Sequence, residues 1–261
     1  MKKTFLLSCL MLAAMPVMAA YTGHVYVDKN KNGVFDQSEK PLAGIKVSDG
    51  LNVVETAADG SFTLPGHERE RFIFITTPSG YKTFNRHYHK IEEKQSGYDF
   101  GLMPYSGRIR KDGSHKYIHI ADTEIFNTEN HEDWVNNVRD YARNEQAAFI
   151  IHTGDICYEK GLKAHIKLMN TENMDCPVFY CIGNHDLVKG KYGEELFESI
   201  YGPVYYSFDA GNVHYIVTPM PGGDHAPGYT ADDVCRWLKN DLAHIRPGTP
   251  VVVFNHDLLT Y

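Results

Sequence analysis

The sequence predicts an α/β region of layered sheets and helices, preceded by a small all-β sandwich. Short apolar runs separated by turn residues fill positions 21–104, and no helical periodicity interrupts them. From residue 115 onward, apolar runs alternate with helical periods, which is typical of α/β layering with buried central strands. The stretch 105–114 is polar and contains glycine. We therefore expect a β-sandwich domain over 21–104, a linker over 105–114 and an α/β domain over 115–261.

The first twenty residues have the layout of a secretory signal peptide. Lys2 and Lys3 precede an apolar run from Phe5 to Met18, and small residues follow it. This run is shorter than the ~20 apolar residues that a membrane span needs. We expect cleavage of residues 1–20 on export to the periplasm or the extracellular space, with no membrane span left in the mature chain.

Charge and composition restrict the classes of partner. Removing Lys2 and Lys3 from the 26 basic residues leaves 24 against 33 acidic ones, a net charge of −9. An acidic chain without a basic cluster does not present a nucleic-acid surface and is not drawn to anionic membranes.

The β-region is predicted from strand-like runs joined by turn signals. Asp49-Gly50 is a strong hairpin signal, and Asp59-Gly60 indicates a second turn. The runs are Gly23–Val27, Ala43–Ser48, Leu51–Thr56, Ser61–Leu64, Arg71–Thr76 and Tyr98–Met103. Strands this short and closely spaced favour a small sandwich.

The α/β region is predicted from apolar runs with helical periods between them. The runs cover 116–120, 147–151, 177–182 and 250–254, and the helical periods cover 134–142, 162–169, 194–200 and 231–245. The segments 205–208 and 213–217 predict an antiparallel pair that turns at Ala210-Gly211-Asn212.

Side chains that bind metal ions follow each of the four apolar runs. In chain order they are Asp122 and Glu124, then Asp155 and Tyr158, then Asn184, His185 and Asp186, and finally His256. Because sites in open α/β sheets form outside the carboxyl ends of the strands, we expect these groups to face one crevice. Oxygen and imidazole ligands suit Mn, Fe or Zn, and a pair of such ions activates water. Each cluster alone is ordinary turn chemistry, whereas all four in this order indicate a metal site.

These motifs resemble those of the calcineurin-like metallophosphoesterase superfamily, whose signature runs D-x-H, G-D-x-x, G-N-H-D/E, a strand that ends in His, and G-H-x-H. Asp122, Gly154-Asp155, Gly183-Asn184-His185-Asp186 and His256 match four of the five blocks. Residues 21–104 are similar to the β-domain that precedes the catalytic domain in some secreted bacterial members. The resemblance implies metallophosphoesterase-type layered sheets and hydrolysis of phosphate mono- or diesters at a dinuclear metal site.

The resemblance also implies how the metal ligands are divided. Asp122 would bind the first ion, Asp155 would bridge both ions, and Asn184 and His256 would bind the second. The two ions would be divalent or trivalent Mn, Fe or Zn, and the partner would be a phosphate-ester substrate.

Two further roles follow from the same resemblance. His185 would lie beside the scissile phosphate, where it stabilises the reacting group or protonates the leaving oxygen. Asp186 would orient His185 through the other ring nitrogen.

The sequence departs from the superfamily pattern at two places. Glu124 stands where the family usually has His or Gln, so a carboxylate replaces a neutral ligand. No G-H-x-H block follows His256 before Tyr261, so we expect the chain to be a C-terminally truncated fragment with weakened metal binding. The alternative function is therefore a catalytically impaired or non-catalytic binding protein.

Tyr158 has two interpretations. Purple acid phosphatases have a tyrosine at this spacing from the bridging aspartate that ligates ferric iron, and Tyr158 would then compensate for Glu124. The other interpretation, which the sequence favours, is an aromatic side chain packed under the loop.

A second possible metal site lies in the β-region. Asp28, Asn30, Asn32, Asp36 and Glu39 fit a twelve-position calcium loop with glycine at position six. The flanks are strand-like, so a metal-free, Asn-rich hairpin explains the pattern equally well. Calcium here would also allow a third function, that of an adhesion or carbohydrate-binding module.

Weaker signals surround the predicted crevice. His119 and His152 lie inside apolar strands and are expected to be buried or to support the metal ligands. Pro221–Gly228 indicates a flexible loop of the kind that borders active sites, with His225 as a candidate substrate contact.

Overall fold

The structure is a computed structural model that describes residues 20–83, 86–95 and 97–257. The predicted signal peptide lies outside the described residues except for Ala20, and so do the last four residues of the chain. No helix within the described ranges combines the length and the hydropathy of a membrane span.

The N-terminal β-region, residues 21–104, is a sandwich of two sheets. Its strands are β1 (Tyr21–Val27), β2 (Lys40–Pro41), β3 (Lys46–Ser48), β4 (Val53–Glu55), β5 (Ser61–Leu64), β6 (Phe72–Ile75), β7 (Tyr81–Thr83), β8 (Tyr88–Lys90) and β9 (Phe100–Pro104). One sheet has the order β2-β1-β9-β7 with β5 paired to β1, and the other has the order β4-β3-β6-β8. The predicted β-rich N-terminal part is confirmed, and β3 and β4 form the antiparallel pair expected at Asp49-Gly50.

Strand β6 is buried on both faces because it belongs to two cores. Ile73 and Ile75 point into the sandwich, whereas Phe72 and Phe74 join the core of the C-terminal region. Burying a phenylalanine side chain contributes about 1.5–3 kcal/mol, so this strand docks the two regions firmly. Hydrogen bonds extend the contact, since the Thr76 and Ser207 hydroxyls lie 2.8 Å apart.

The C-terminal α/β region, residues 115–257, contains two three-stranded sheets. Its elements are β10 (Tyr117–Ile120), α1 (Glu132–Asn144), β11 (Phe149–His152), α2 (Tyr158–Leu168), β12 (Val178–Tyr180), α3 (Glu195–Tyr201), β13 (Tyr206–Ala210), β14 (Val213–Val217), α4 (Ala231–Ala243) and β15 (Val251–Phe254). The sheets have the orders β10-β11-β12 and β13-β14-β15. The predicted α/β layering and the antiparallel β13-β14 pair are confirmed.

The fourth apolar run lies in a different sheet from the other three. Strand β15 pairs in parallel with β14 in the second sheet. Aromatic side chains join the two sheets face to face, and the rings of Phe179 and Phe208 stack with centroids 3.7 Å apart. The second sheet nevertheless brings the carboxyl end of β15 to the same edge, because the His256 ring bonds the Thr153 carbonyl just after β11.

The loop proposed to bind calcium is closed by its own hydrogen bonds. The buried Asp28 carboxylate accepts from the Lys31 and Gly33 amides, at 2.6 and 2.9 Å. Buried Glu39 accepts from two further backbone amides, and Asp36 accepts from the Asn30 and Asn32 side chains. Each carboxylate thus has hydrogen-bond partners within the loop itself, and this favours the Asn-rich hairpin over a calcium site.

We predict that calcium leaves the stability of this loop unchanged. Asp28→Ala should lower the free energy of unfolding by about 1–3 kcal/mol, because two backbone amides lose the buried carboxylate that accepts from them. Thermal melts should show the same loss of stability in Asp28→Ala whether excess calcium or EGTA is present. The exposed turn variant Asp59→Ala serves as the control. A calcium-induced rise in melting temperature that Asp28→Ala abolishes would restore the calcium interpretation.

Candidate metal centre

The loops that follow β10 and β11 have strained backbones. Positive φ angles occur at Asp122, Glu124, Asp155, Cys157 and Tyr158, and these residues carry side chains. Residues other than glycine seldom adopt this left-handed conformation, and such strain gathers at functional sites. The strained backbone therefore marks this edge of the sheets as a candidate functional site.

Two glycines allow the loops after β11 and β12 to touch. A Cβ atom on Gly154, whose φ is 101°, would lie 2.5 Å from the Gly183 nitrogen. A Cβ atom on Gly183 would lie 2.2 Å from both the backbone nitrogen and the Oδ1 atom of Asp155. Any side chain at either position would separate the loops. The Gly-Asp and Gly-Asn-His motifs therefore have a steric explanation.

Asp122, Asp155 and His256 form a group of possible metal ligands. One ligand atom from each lies within 4.8 Å of the other two. Asp122 is exposed and Asp155 is buried, so the group opens to solvent on one side. One member of the group follows the carboxyl end of each of the strands β10, β11 and β15. This placement is expected for strands that end at one edge.

The hydrogen bonds of His256 fit a cation at this point. Its Nδ1 atom donates to the Thr153 carbonyl at 2.8 Å, so in the neutral ring the lone pair lies on Nε2. That Nε2 atom lies 3.4 Å from the Asp155 Oδ2 atom, which is also an acceptor. Two acceptors that face each other in this way are suited to binding one metal ion together. Ligating histidines usually anchor their second nitrogen in this way.

Asn184 and Glu124 are placed differently with respect to the group. Asn184 begins a short 3-10 turn, Asn184–Asp186, that directly adjoins Asp155, since the His185 amide donates to Asp155 Oδ1 at 3.1 Å. Glu124 is exposed, and its carboxylate is not a member of the group formed by Asp122, Asp155 and His256. The structure therefore brings Asn184 beside the group and leaves Glu124 at its margin.

Tyr158 lies on the surface, so the predicted packing under the loop is wrong. Its side chain is 45% exposed, and its ring centroid lies 5.3 Å from that of His185. Partial desolvation there, together with the Asp224 carboxylate, raises the pKa of Tyr158. The phenol thus stays protonated unless a metal ion binds it, and the iron-ligand interpretation remains a prediction.

Asp186 does not orient His185, which corrects the role expected from the sequence. Its carboxylate is fully buried and accepts from the amides of Gly183 and Cys157, both at 2.9 Å. Burial raises its pKa, and the backbone amides oppose that shift. Asp186 ties the loop after β11 to the loop after β12 and acts on the shape of the site.

The His185 side chain instead pairs with Asp224, a residue that sequence reasoning missed. His185 Nδ1 and Asp224 Oδ2 lie 2.8 Å apart, and this hydrogen bond raises the pKa of His185. The predicted loop Pro221–Gly228 does border the site, but it contributes Asp224 to this pair, while His225 is exposed. In the sequence, the composition of residues 221–228 indicated a loop near the site, but it did not identify Asp224 as the functional residue.

The two histidines predicted to be buried or supportive differ. His119 is exposed on β10, and its Nε2 atom lies 2.8 Å from the Thr153 hydroxyl. His152 is buried, accepts from the Gly154 amide through Nδ1 at 3.1 Å, and therefore donates from Nε2 to the Thr123 hydroxyl. Burial lowers the pKa of His152 well below the ordinary value, so the ring is neutral and joins the loops after β10 and β11 without carrying charge into the core.

A second group of possible ligands occurs within the described residues. Asp49, His67 and Glu70 of the β-region also place ligand atoms within 4.8 Å of one another. The Asp49 carboxylate already accepts from the Leu51 and Asn52 amides, and no strained loop surrounds it. The Asp122 group is the stronger candidate for a metal site.

The fold and these ligands define an α/β protein of the metallophosphoesterase type. Residues 115–260 match the family model for "Calcineurin-like phosphoesterase", and residues 29–105 match the model for its N-terminal part, "N terminal of Calcineurin-like phosphoesterase". The first match alone covers more than half of the chain, which therefore belongs to the calcineurin-like phosphoesterase family. No curated protein matches the chain significantly.

We predict that Asp155 is needed for metal binding. Asp155→Asn keeps the shape of the side chain but removes the charge at the centre of the group. Affinity for Mn²⁺ should fall by more than the roughly 10- to 100-fold that the loss of a supporting group costs. Calorimetric titration of the metal-stripped protein measures this loss, with the exposed Asp112→Asn as control. Unchanged affinity and stoichiometry in Asp155→Asn would exclude this metal site.

Proposed function

We propose that the protein hydrolyses phosphate mono- or diesters with two metal ions bound near Asp155. The observation that carries this proposal is the convergence of Asp122, Asp155 and His256, with the His185–Asp224 pair at the rim. Membership of the calcineurin-like phosphoesterase family supports the reaction class.

The donor set suits the expected metals. Asp122 and Asp155 offer carboxylate oxygens, His256 offers Nε2, and Asn184 lies next to them with an amide oxygen. Such a mixture of oxygen and imidazole donors fits Mn, Fe or Zn. In this proposal Asp155, at the centre of the group, would help to hold the ions. When bound, the ions would supply Lewis-acid chemistry that activates water and neutralises charge on the phosphoryl oxygens.

The protein's own contribution to the reaction comes chiefly from His185. Its Nδ1 atom is held by Asp224, and its Nε2 atom has no hydrogen-bond partner among the described residues. The side chain is about one-third exposed, so Nε2 can meet a substrate. The imidazolium form, which carries a hydrogen on each ring nitrogen, donates from Nε2 to a phosphoryl oxygen or transfers that proton to the leaving oxygen.

The site of action also belongs to the proposal. Residues 1–20 have the pattern of a signal peptide, so the protein would act in the periplasm or outside the cell.

A non-catalytic binding protein is the second candidate. The marginal place of Glu124 favours it, since one predicted ligand does not reach the group. Such a protein would bind metal and a phosphate ester without turning the ester over.

One experiment separates these candidates. The protein loaded with Mn²⁺ should hydrolyse 4-nitrophenyl phosphate or bis(4-nitrophenyl) phosphate, EDTA should abolish turnover, and added Mn²⁺ should restore it. His185→Ala should keep its metal content while kcat falls by about 10²- to 10⁴-fold, because a proton-transfer group is lost. The exposed His24→Ala is the control.

Two results would contradict the proposal. Full metal loading with no turnover of either ester would favour the binding protein. Loss of metal from His185→Ala would make His185 a ligand.

A further inference from the structure

The His185–Asp224 contact fixes the chemical identity of both ring nitrogens. A carboxylate only accepts hydrogen bonds, so the His185 Nδ1 atom that lies 2.8 Å from Asp224 Oδ2 carries the hydrogen. The Nε2 atom is thereby left without a hydrogen-bond partner among the described residues and is available to a substrate. A single carboxylate thus sets the orientation of the ring, and in the imidazolium form the Nε2 hydrogen remains free for that substrate.

No other described carboxylate takes this role. Both Asp186 oxygens are occupied by backbone amides, and Asp155 receives the His185 amide while its other oxygen faces His256. Tyr158 lies against the ring but makes no hydrogen bond to it. Asp224 alone among these neighbours bonds the imidazole.

The loop that carries Asp224 is fastened at several points. The Asp224 amide donates to the Asn184 carbonyl at 3.1 Å, and the Gly193 amide donates to the Ala226 carbonyl at 2.8 Å. The Gly228 amide donates to both carboxylate oxygens of Glu194, the shorter distance being 2.9 Å. The predicted flexible loop is therefore held at Asp224 itself and at two points that follow it in the chain.

The N-terminal β-region supplies part of this fastening. Arg71, which immediately precedes β6, bonds the fully buried Glu194 at 2.8 Å and also bonds Glu198 on α3. Arg69 donates to the Gly228 carbonyl at 2.6 Å. A buried carboxylate needs such a partner. Glu194 therefore connects Arg71 of the β-region to the Gly228 amide of the Asp224 loop.

We propose that Asp224 is a positioning residue for His185, and that Arg71 holds the Asp224 loop in place through Glu194. This inference rests on the proposed function, because it assigns a task to the same histidine. It also gives the N-terminal β-region a part in the active site.

Leaving-group dependence tests this inference. A correctly directed His185 matters most when the leaving oxygen needs a proton, so phenyl phosphate depends on it more than 4-nitrophenyl phosphate does. Asp224→Asn should lower kcat for phenyl phosphate by about 10- to 100-fold, with a smaller loss for 4-nitrophenyl phosphate. Metal content and KM should stay near those of the unaltered protein, and Asp232→Asn on the exposed start of α4 is the control. Equal kcat losses on both esters, or none, would overturn the positioning role.

A second readout does not require turnover. At a pH high enough to leave the ring neutral, imidazole nitrogen NMR should show His185 as the Nδ1–H tautomer in the unaltered protein and a shift toward the Nε2–H tautomer in Asp224→Ala. An unchanged tautomer would overturn the inference. If the unaltered protein turns over no ester, the proposed function fails while this measurement still decides the role of Asp224.

A double-mutant cycle tests the part assigned to Arg71. Arg71→Met should reproduce the Asp224→Asn preference for 4-nitrophenyl phosphate in weaker form, and Arg71→Lys should do so if the methionine variant does not fold. Added to Asp224→Asn, the Arg71 change should cause no further shift in the ratio of the two kcat values, because both act through one contact. An additive shift, or no shift in the single variant, would show that Arg71 does not act through Asp224.

Discussion

The close approach of the loops at Gly154 and Gly183 is the constraint on which the rest of the site depends. With no Cβ atom on either glycine, Asp155 and the turn that begins at Asn184 come within hydrogen-bond distance. Buried Asp186 then joins the two loops through two backbone amides. Asp186, which looks catalytic from its place in the motif, thus joins the two loops, while the proposed chemistry belongs to His185.

The second sheet and the β-region complete what these loops begin. Strand β15 delivers His256 to the group from a sheet packed on the first through aromatic rings. The β-region docks through β6 and reaches the Asp224 loop through Arg71 and Glu194. Strained backbone in the loops after β10 and β11 is tolerated because these layers hold it from several sides.

Much of this arrangement could be predicted from the sequence, because apolar runs that end in ligand residues reveal strands and the edge where they finish. The sheet to which β15 belongs could not be predicted, since an apolar run identifies a strand without its neighbours. The Asp224 contact depends on tertiary bonds to Glu194 and Gly193, which leave no local pattern. The prediction that Asp186 orients His185 was wrong for a related reason. The place of Asp186 in the motif does not reveal whether its oxygens face an imidazole or two backbone amides.

The most direct test of the metal centre is anomalous diffraction from crystals soaked in Mn²⁺. The proposed site predicts manganese peaks within bonding distance of Asp122, Asp155 and His256. A manganese peak at Asp49, His67 and Glu70, with no peak beside Asp155, would contradict the proposed metal site.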